Sequence, residues 1–305
     1  MPFHTMPDQE QLFVRRIGRG EPVVVLSGLG MVSWQWLPFI FTNLNKYEFI
    51  IPDWRGFGRS KHCAIPQELD AISSHWRDVE TLIQQLNLQQ FILIGYSMGA
   101  TTAMHGMQHG NLAQQLKAYL HIDQTPKITV DESWQFGLFG EKHQDFKFLL
   151  TALDDLLNQY PNVLDLNDLP FLQRQQLVQL WSEFIELQSS NKYSPMVFKL
   201  ALNKPPLQKY LLPIQRIYYL HWYVKNYLNH QEDYRQAIAQ LECPTTFFIG
   251  KNSSLYPVTG QTIIAKSVKK SQHIYFKRSG HTPLLTEPKK FSQEIRNFLN
   301  RLEAL

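Results

Sequence analysis

Apolar residues run along this chain in two rhythms. Short unbroken runs at Pro22 to Leu26, Phe49 to Pro52 and Phe91 to Ile94 have the length of strands buried on both faces. Phe13 to Gly18 reads as an edge strand, and Lys117 to Ile122 as a further one. Between them come segments with helical spacing: Trp34 to Leu44, Gln67 to Leu86 and Ala100 to Gln108. In the longest of these, Leu69, Ile72, Trp76, Val79, Leu82 and Ile83 share one face. Strands that alternate with helices predict an α/β fold, with a mostly parallel sheet flanked by helices.

After Asp123 the rhythm changes. From about Ile128 to Arg235 the chain is aromatic and Leu-rich at helical spacing, with helices expected at Phe146 to Leu157, Phe171 to Leu187 and Leu211 to Tyr227. Strands return at Thr245 to Ile249 and His273 to Phe276, and a last helix is expected from Lys289 to Leu302. A helical stretch inserted into a continuing sheet reads as a lid. The expected organisation is a core of residues 1–127 and 236–305, with a helical lid at 128–235.

Composition narrows the class. A chain of 305 residues, 44% hydrophobic and 18% charged, can bury a sizeable core and excludes a disordered one. Cys63 and Cys243 are too few and too far apart for a disulfide framework or a zinc site, and free thiols fit a reducing compartment. The net charge of +4 comes without a clustered basic stripe, so no nucleic-acid partner is expected. Met1 to Gln11 lacks the apolar core of a signal peptide, and no run approaches about 20 apolar residues, so no membrane span is expected. A cytoplasmic protein is the expectation.

Chemistry enters at Gly95-Tyr96-Ser97-Met98-Gly99, a G-x-S-x-G pattern between an expected strand and an expected helix. Glycines on either side permit a tight strand-to-helix turn that lifts the serine hydroxyl above the sheet, where the free N–H groups of the helix start also point. Ser97 is therefore the candidate nucleophile. A plain N-cap serine would account for one residue of the pattern but not for both glycines.

With three further motifs in order, the chain resembles the α/β-hydrolase superfamily, in its serine branch of esterase-like and haloperoxidase-like members. Ser27-Gly28-Leu29-Gly30 follows the first buried strand, where that family usually has His-Gly-x-Gly. Asp53-Trp54-Arg55-Gly56-Phe57-Gly58-Arg59-Ser60 is similar to its D-x-R-G-x-G-x-S loop. Gly280-His281-Thr282-Pro283 with Glu287-Pro288 is similar to its G-H-x-P…E-x-P segment. The resemblance implies the α/β-hydrolase fold with an inserted helical lid, and His281 as the base that activates Ser97. It also implies an oxyanion hole made by the backbone N–H groups of Leu29 and Met98. Ser27 departs from the family's histidine, but the donors are main-chain and survive. The Asp53 to Ser60 loop reads as scaffold, and Trp34 and Trp36 as either pocket lining or core.

The acid is the larger departure. The loop after the penultimate strand, Gly250 to Pro257, holds no carboxylate, and no Asp or Glu occurs between Glu242 and Glu287. Two readings stay open. Asp123, at the end of the strand after the nucleophile helix, supplies the acid; or the site is a Ser-His dyad, with Asn252 or Ser253 orienting the histidine.

The histidines and cysteines show neither H-E-x-x-H nor C-x₂-C spacing, so no metal is expected and no cofactor is implied. Lid aromatics, among them Trp134, Phe139, Phe146, Trp181, Phe184 and Tyr223, suggest an apolar pocket or tunnel. The expected activity is hydrolysis of a small-molecule carboxylic ester or related acyl substrate through an acyl-enzyme on Ser97. C–C bond cleavage, thioester hydrolysis, amide cleavage and acyl transfer use the same machinery, a substrate on an acyl carrier protein is compatible with the positive charge, and perhydrolysis would be a side reaction. A non-catalytic ligand-binding relative is the alternative from another class.

Overall fold

The computed structural model describes residues 2–66, 68–161, 163–188 and 216–303. Eight strands form one sheet: β1 (Phe3–Thr5), β2 (Gln11–Gly18), β3 (Glu21–Leu26), β4 (Tyr47–Pro52), β5 (Phe91–Tyr96), β6 (Leu116–Ile122), β7 (Thr245–Gly250) and β8 (Ser271–Phe276). Their order is β1-β2-β4-β3-β5-β6-β7-β8. The β1–β2 and β2–β4 pairs are antiparallel and every other pair is parallel. One edge is thus β1, a short strand outside the expected Phe13–Gly18 edge, and the other is β8.

The unbroken apolar runs have a direct physical cause. Successive side chains of a strand point to opposite faces, and both faces of this sheet are covered. Val23 and Val25 of β3 join one core cluster while Val24 and Leu26 join the other; Ile92 and Ile94 of β5 part from Phe91 and Leu93 in the same way.

Helices α1 (Leu37–Ile40) and α11 (Pro288–Leu302) lie on one side, where Phe39 meets Phe291 edge to face. On the other lie α2 (Ala71–Gln85) and α3 (Met98–His109). Helix α2 begins later than its spacing suggests because the Asp70 carboxylate caps it, accepting the Ser73 N–H at 2.9 Å; Gln67 lies outside the described residues. The expected Trp34–Leu44 helix is corrected to a 3₁₀ turn (Ser33–Trp36), the single α-turn of α1 and a second 3₁₀ turn (Phe41–Asn43). Packing explains it: Trp36 is buried with Phe39 and Ile40, whereas Trp34 and Phe41 point into solvent, so no continuous helical stripe is buried.

The remaining helices are α4 (Leu112–Gln115), α5 (His143–Asn158), α6 (Phe171–Gln188), α7 (Ile217–Asn229), α8 (Arg235–Ala239), α9 (Val258–Ser267) and α10 (Pro283–Thr286). Helices α5 to α8 fall between β6 and β7, and the expectation for residues 211–215 lies outside the described residues. No helix among the described residues is long and apolar enough to cross a membrane.

The Asp53 to Ser60 loop braces its neighbours. Asp53 accepts the Ser33 N–H at 2.6 Å and the Arg59 N–H at 3.0 Å. Arg55, fully buried, pairs not with Asp53 but with Asp78 and Asp8, each at 2.7 Å.

Candidate active site

Ser97 sits at the junction of β5 and α3 with φ 52° and ψ −122°, a conformation that costs a non-glycine residue of order 1–3 kcal/mol. The surroundings enforce it. The Ser97 N–H donates to Ile122 O at 3.1 Å, and Ser97 O accepts the N–H groups of Ala100 and Thr101. Gly99 lets α3 approach β3, since a Cβ there would collide with the carbonyl oxygen of Leu26. The sharp turn leaves the Ser97 hydroxyl at the floor of a cavity.

His281 follows β8 and Asp123 follows β6; the parallel sheet delivers both to the end at which β5 delivers Ser97. The Ser97 hydroxyl donates to His281 Nε2 at 2.9 Å, and His281 Nδ1–H donates to Asp123 Oδ2 at 2.6 Å. The imidazole is held further by Tyr96, whose ring stacks on it at 5.4 Å and whose hydroxyl donates to the His281 carbonyl at 2.9 Å.

Asp123 is fully buried and, like Ser97, has a positive φ, of 43°. Its carboxylate accepts three further hydrogen bonds: from Gly250 N–H at 3.1 Å, Gln261 Nε2 at 3.0 Å and the Ser253 hydroxyl at 2.8 Å. Ser253 therefore serves Asp123 and not the histidine, while Asn252 Nδ2 faces Lys277 O. The loop after β7, which lacks a carboxylate of its own, supplies donors to one from β6.

Leu29 lies in the cavity wall beside Gly28, where an added Cβ would stand 3.4 Å from Ser97 Cβ. Among the described residues neither the Leu29 N–H nor the Met98 N–H has an acceptor, the latter because it opens α3. Ser27 anchors this loop: its hydroxyl accepts from Trp36 Nε1 at 2.9 Å and its carbonyl from Trp54 Nε1 at 2.8 Å. That contact settles Trp36 as core, and Trp34 is 59% exposed; neither lines the cavity.

The cavity has a volume of about 370 Å³. Phe139, Phe146, Trp181, Phe184 and Tyr223 line it, whereas Trp134 and Phe136 pack on each other outside it and Phe148 is exposed. No Asp, Glu, Lys or Arg is among the described residues that line it.

The expectations from sequence passed over Tyr256, Gln124 and Gln261. Tyr256 is buried in the wall beside Ser97, its ring 5.4 Å from that of His281, and its hydroxyl accepts from Gln124 Nε2 at 2.9 Å. Gln124 is itself fixed, because its Oε1 accepts the Thr125 N–H at 2.8 Å and its Nε2 also donates to Thr101. Only the placement of Gln124 directly after Asp123 hinted at this. His121 makes no hydrogen bond to Ser97, His281 or Asp123: it meets the Tyr119 hydroxyl and Gln124 O, and burial lowers its pKa to about 4.

The model of the alpha/beta hydrolase fold family matches residues 21–288. The chain is an α/β hydrolase. This hydrolase is 25% identical over 291 residues to the AB hydrolase superfamily protein YisY of Bacillus subtilis, covering 95% of each chain. It is 24% identical over 287 residues to a pimeloyl-[acyl-carrier protein] methyl ester esterase of Legionella pneumophila, covering 93% of this chain and 97% of the relative. Among solved structures, the esterase EaEST from Exiguobacterium antarcticum superposes with a TM-score of 0.69 at 20% identity over 98% of both chains. A bromoperoxidase from Bacillus anthracis gives 0.65 at 18%, over 96% of this chain and 97% of the other. The hydrolase thus has esterases among its relatives, and the structural likenesses establish its fold.

Proposed function

We propose that this α/β hydrolase is a serine carboxylic-ester hydrolase acting on small neutral esters with an apolar acyl part. The observation that carries the proposal is the continuous relay from Ser97 through His281 to a buried, fully hydrogen-bonded Asp123. In the reaction His281 Nε2 takes the Ser97 proton as Oγ bonds to the acyl carbon, and the carbonyl oxygen becomes an oxyanion. The Leu29 and Met98 amides receive that oxyanion, each worth about 2.7–4 kcal/mol to the transition state. Collapse breaks the C–O bond, and the imidazolium returns its proton to the departing alkoxide. A water molecule, deprotonated by the same Nε2, then attacks the acyl-enzyme and frees the acid and Ser97. Asp123 holds the Nδ1–H tautomer and stabilises the imidazolium throughout.

Residues 128–235 act in this reading as a lid over the site. The chain's entry to and exit from it are joined, since Lys127 bridges Asp233 and the Tyr234 N–H donates to Pro126 O at 2.9 Å. The described part of the wall carries no Asp, Glu, Lys or Arg and selects the acyl group in this reading, because an unpaired charge buried there would cost several kcal/mol. In this reading the enzyme works in the cytoplasm, and the two free cysteines, Cys63 and Cys243, fit a reducing compartment.

Labelling with a fluorophosphonate, followed by peptide mapping, tests the reading. The adduct is expected on Ser97, absent in Ser97→Ala and slowed in His281→Ala. Asp123→Asn is expected to keep the fold and lose about 10⁴ in kcat. A labelled Ser97 with near-normal kcat in Asp123→Asn would mean that a dyad suffices, and no labelling at all would mean a ligand-binding protein.

A further inference from the structure

Helix α3 carries Ser97 before its first residue and a second cluster of side chains near its last. His105 and His109 are four residues apart, hence neighbours on one face, and their ring centroids lie 4.4 Å from each other. Glu232 arrives from the segment between α7 and α8, its Oε2 3.1 Å from His109 Nε2. One ligand atom from each of the three residues lies within 4.8 Å of the other two.

The second contacts around them are ordered. The Tyr234 hydroxyl meets His105 Nδ1 at 3.1 Å, which fixes the ring and leaves Nε2 without a hydrogen-bond partner among the described residues. An imidazole anchored through one nitrogen and free at the other is how ligating histidines are held. Gln108 Nε2 donates to Glu232 Oε2 at 2.7 Å and lies 3.4 Å from His109 Nε2, so the carboxylate is already steered toward the helix. Nearby, His230 packs against the Tyr234 ring with its buried Nε2 unpartnered among the described residues.

We propose that His105, His109 and Glu232 form a binding site for a divalent cation of the zinc class. Two imidazole nitrogens and one carboxylate oxygen are its donor set, whereas magnesium and calcium prefer oxygen alone. The His109–Glu232 pair already stands at 3.1 Å and no separation exceeds 4.8 Å, so ligands at about 2.0–2.1 Å from a tetrahedral zinc need at most a small closure of the cluster. It has the means: the side chains of His109 and Glu232 are 43% and 37% exposed and free to swing, while His105 stays fixed. A water molecule completes the coordination. The bound cation would clamp the chain's return from the helical segment onto the helix that begins at Ser97. Glu232 adjoins Asp233 and Tyr234, which pair with Lys127 and Pro126 on the way in. The site stands apart from the ester chemistry and does not depend on it.

Calorimetric titration of zinc chloride into the untagged full chain, first stripped with EDTA, tests the site. One zinc per chain with a micromolar Kd is expected, with a rise in Tm that tracks zinc concentration, and neither effect with magnesium. His109→Ala and Glu232→Gln are each expected to keep the circular dichroism spectrum and raise Kd at least about tenfold. Cobalt should give the visible absorption of a tetrahedral complex in the parent chain only. No saturable heat up to millimolar zinc overturns the proposal, and so does a Kd that both variants leave unchanged, which would put the metal elsewhere.

Discussion

At the scale of single residues, Asp123 and Tyr256 show how much of this site depends on hydrogen-bond partners. A carboxylate buried without donors would be costly, and Asp123 has four, three of them from the end of β7 and the loop and helix that follow it. Ser253, in the loop after β7 that holds no carboxylate, gives its hydroxyl to Asp123. Tyr256 accepts from Gln124, which leaves its own O–H free to donate in the cavity it lines together with Ser97. Removing that hydroxyl should cost about one hydrogen bond, roughly 1 kcal/mol. Tyr256→Phe is therefore expected to lower kcat/KM for an activated ester about fivefold to tenfold with its Tm unchanged. Unaltered kinetics would reduce Tyr256 to a piece of the wall. The pattern G-x-S-x-G made Ser97 legible in the sequence, and the G-H-x-P segment did the same for His281. Tyr256 and Gln261 carry no motif, and only their neighbours in space give them meaning.

At the scale of elements, the strand–turn–helix unit of β5, Ser97 and α3 sets the precision of the site. Its strain is held by the Ser97 backbone bonds and by the contact of Gly99 with β3. A methyl group at that contact would push α3 away from the sheet. Gly99→Ala is expected to lose about 1–3 kcal/mol of stability, as overpacking of a tight contact does. It should also lose most of its activity, because the helix carries both Ser97 and the Met98 amide. Thermal unfolding measured together with fluorophosphonate labelling checks this; a stable, fully labelled variant would show that the turn does not need the close approach. Element types were legible wherever burial covered both sheet faces or a whole helical stripe. They were not at Trp34 to Leu44, where aromatic residues share helical spacing but alternate between core and solvent.

On the scale of the molecule, the sheet brings three strand ends together, and helices α5, α6 and α7 supply much of the apolar wall. An enzyme with this wall should prefer a neutral acyl chain to one ending in a carboxylate. Hexanoate esters are expected to exceed the corresponding monoesters of a dicarboxylic acid at least about tenfold in kcat/KM, the equivalent of 1.4 kcal/mol for a poorly paired charge. Equal rates would place the acyl group elsewhere. Buried imidazoles also give the fold a pH dependence. Burial, assisted by the Arg55 charge, lowers the pKa of His75 to about 3, and burial lowers that of His121 to about 4. Both stay neutral in the fold while the unfolded chain takes up protons near 6.5, so stability is complete above that pH and lost as pH falls through it. Each group contributes about 1.4 kcal/mol per pH unit, so the urea unfolding free energy should fall by roughly 2–3 kcal/mol between pH 7.5 and 5.5. A flat profile would mean that the imidazoles charge in place.

The sequence by itself determined the fold class and the change from sheet to helices after Asp123, and it singled out Ser97 and His281 as candidates, because these rest on local periodicity and on motifs within a few residues. The tertiary structure decided the rest. The contact of His281 with Asp123, and not with Asn252 or Ser253, turned on which strand ends lie side by side, and His109 met Glu232 from 123 residues further along the chain. Neighbourhoods of that kind are made by strand order and helix packing, and no spacing along the chain encodes them.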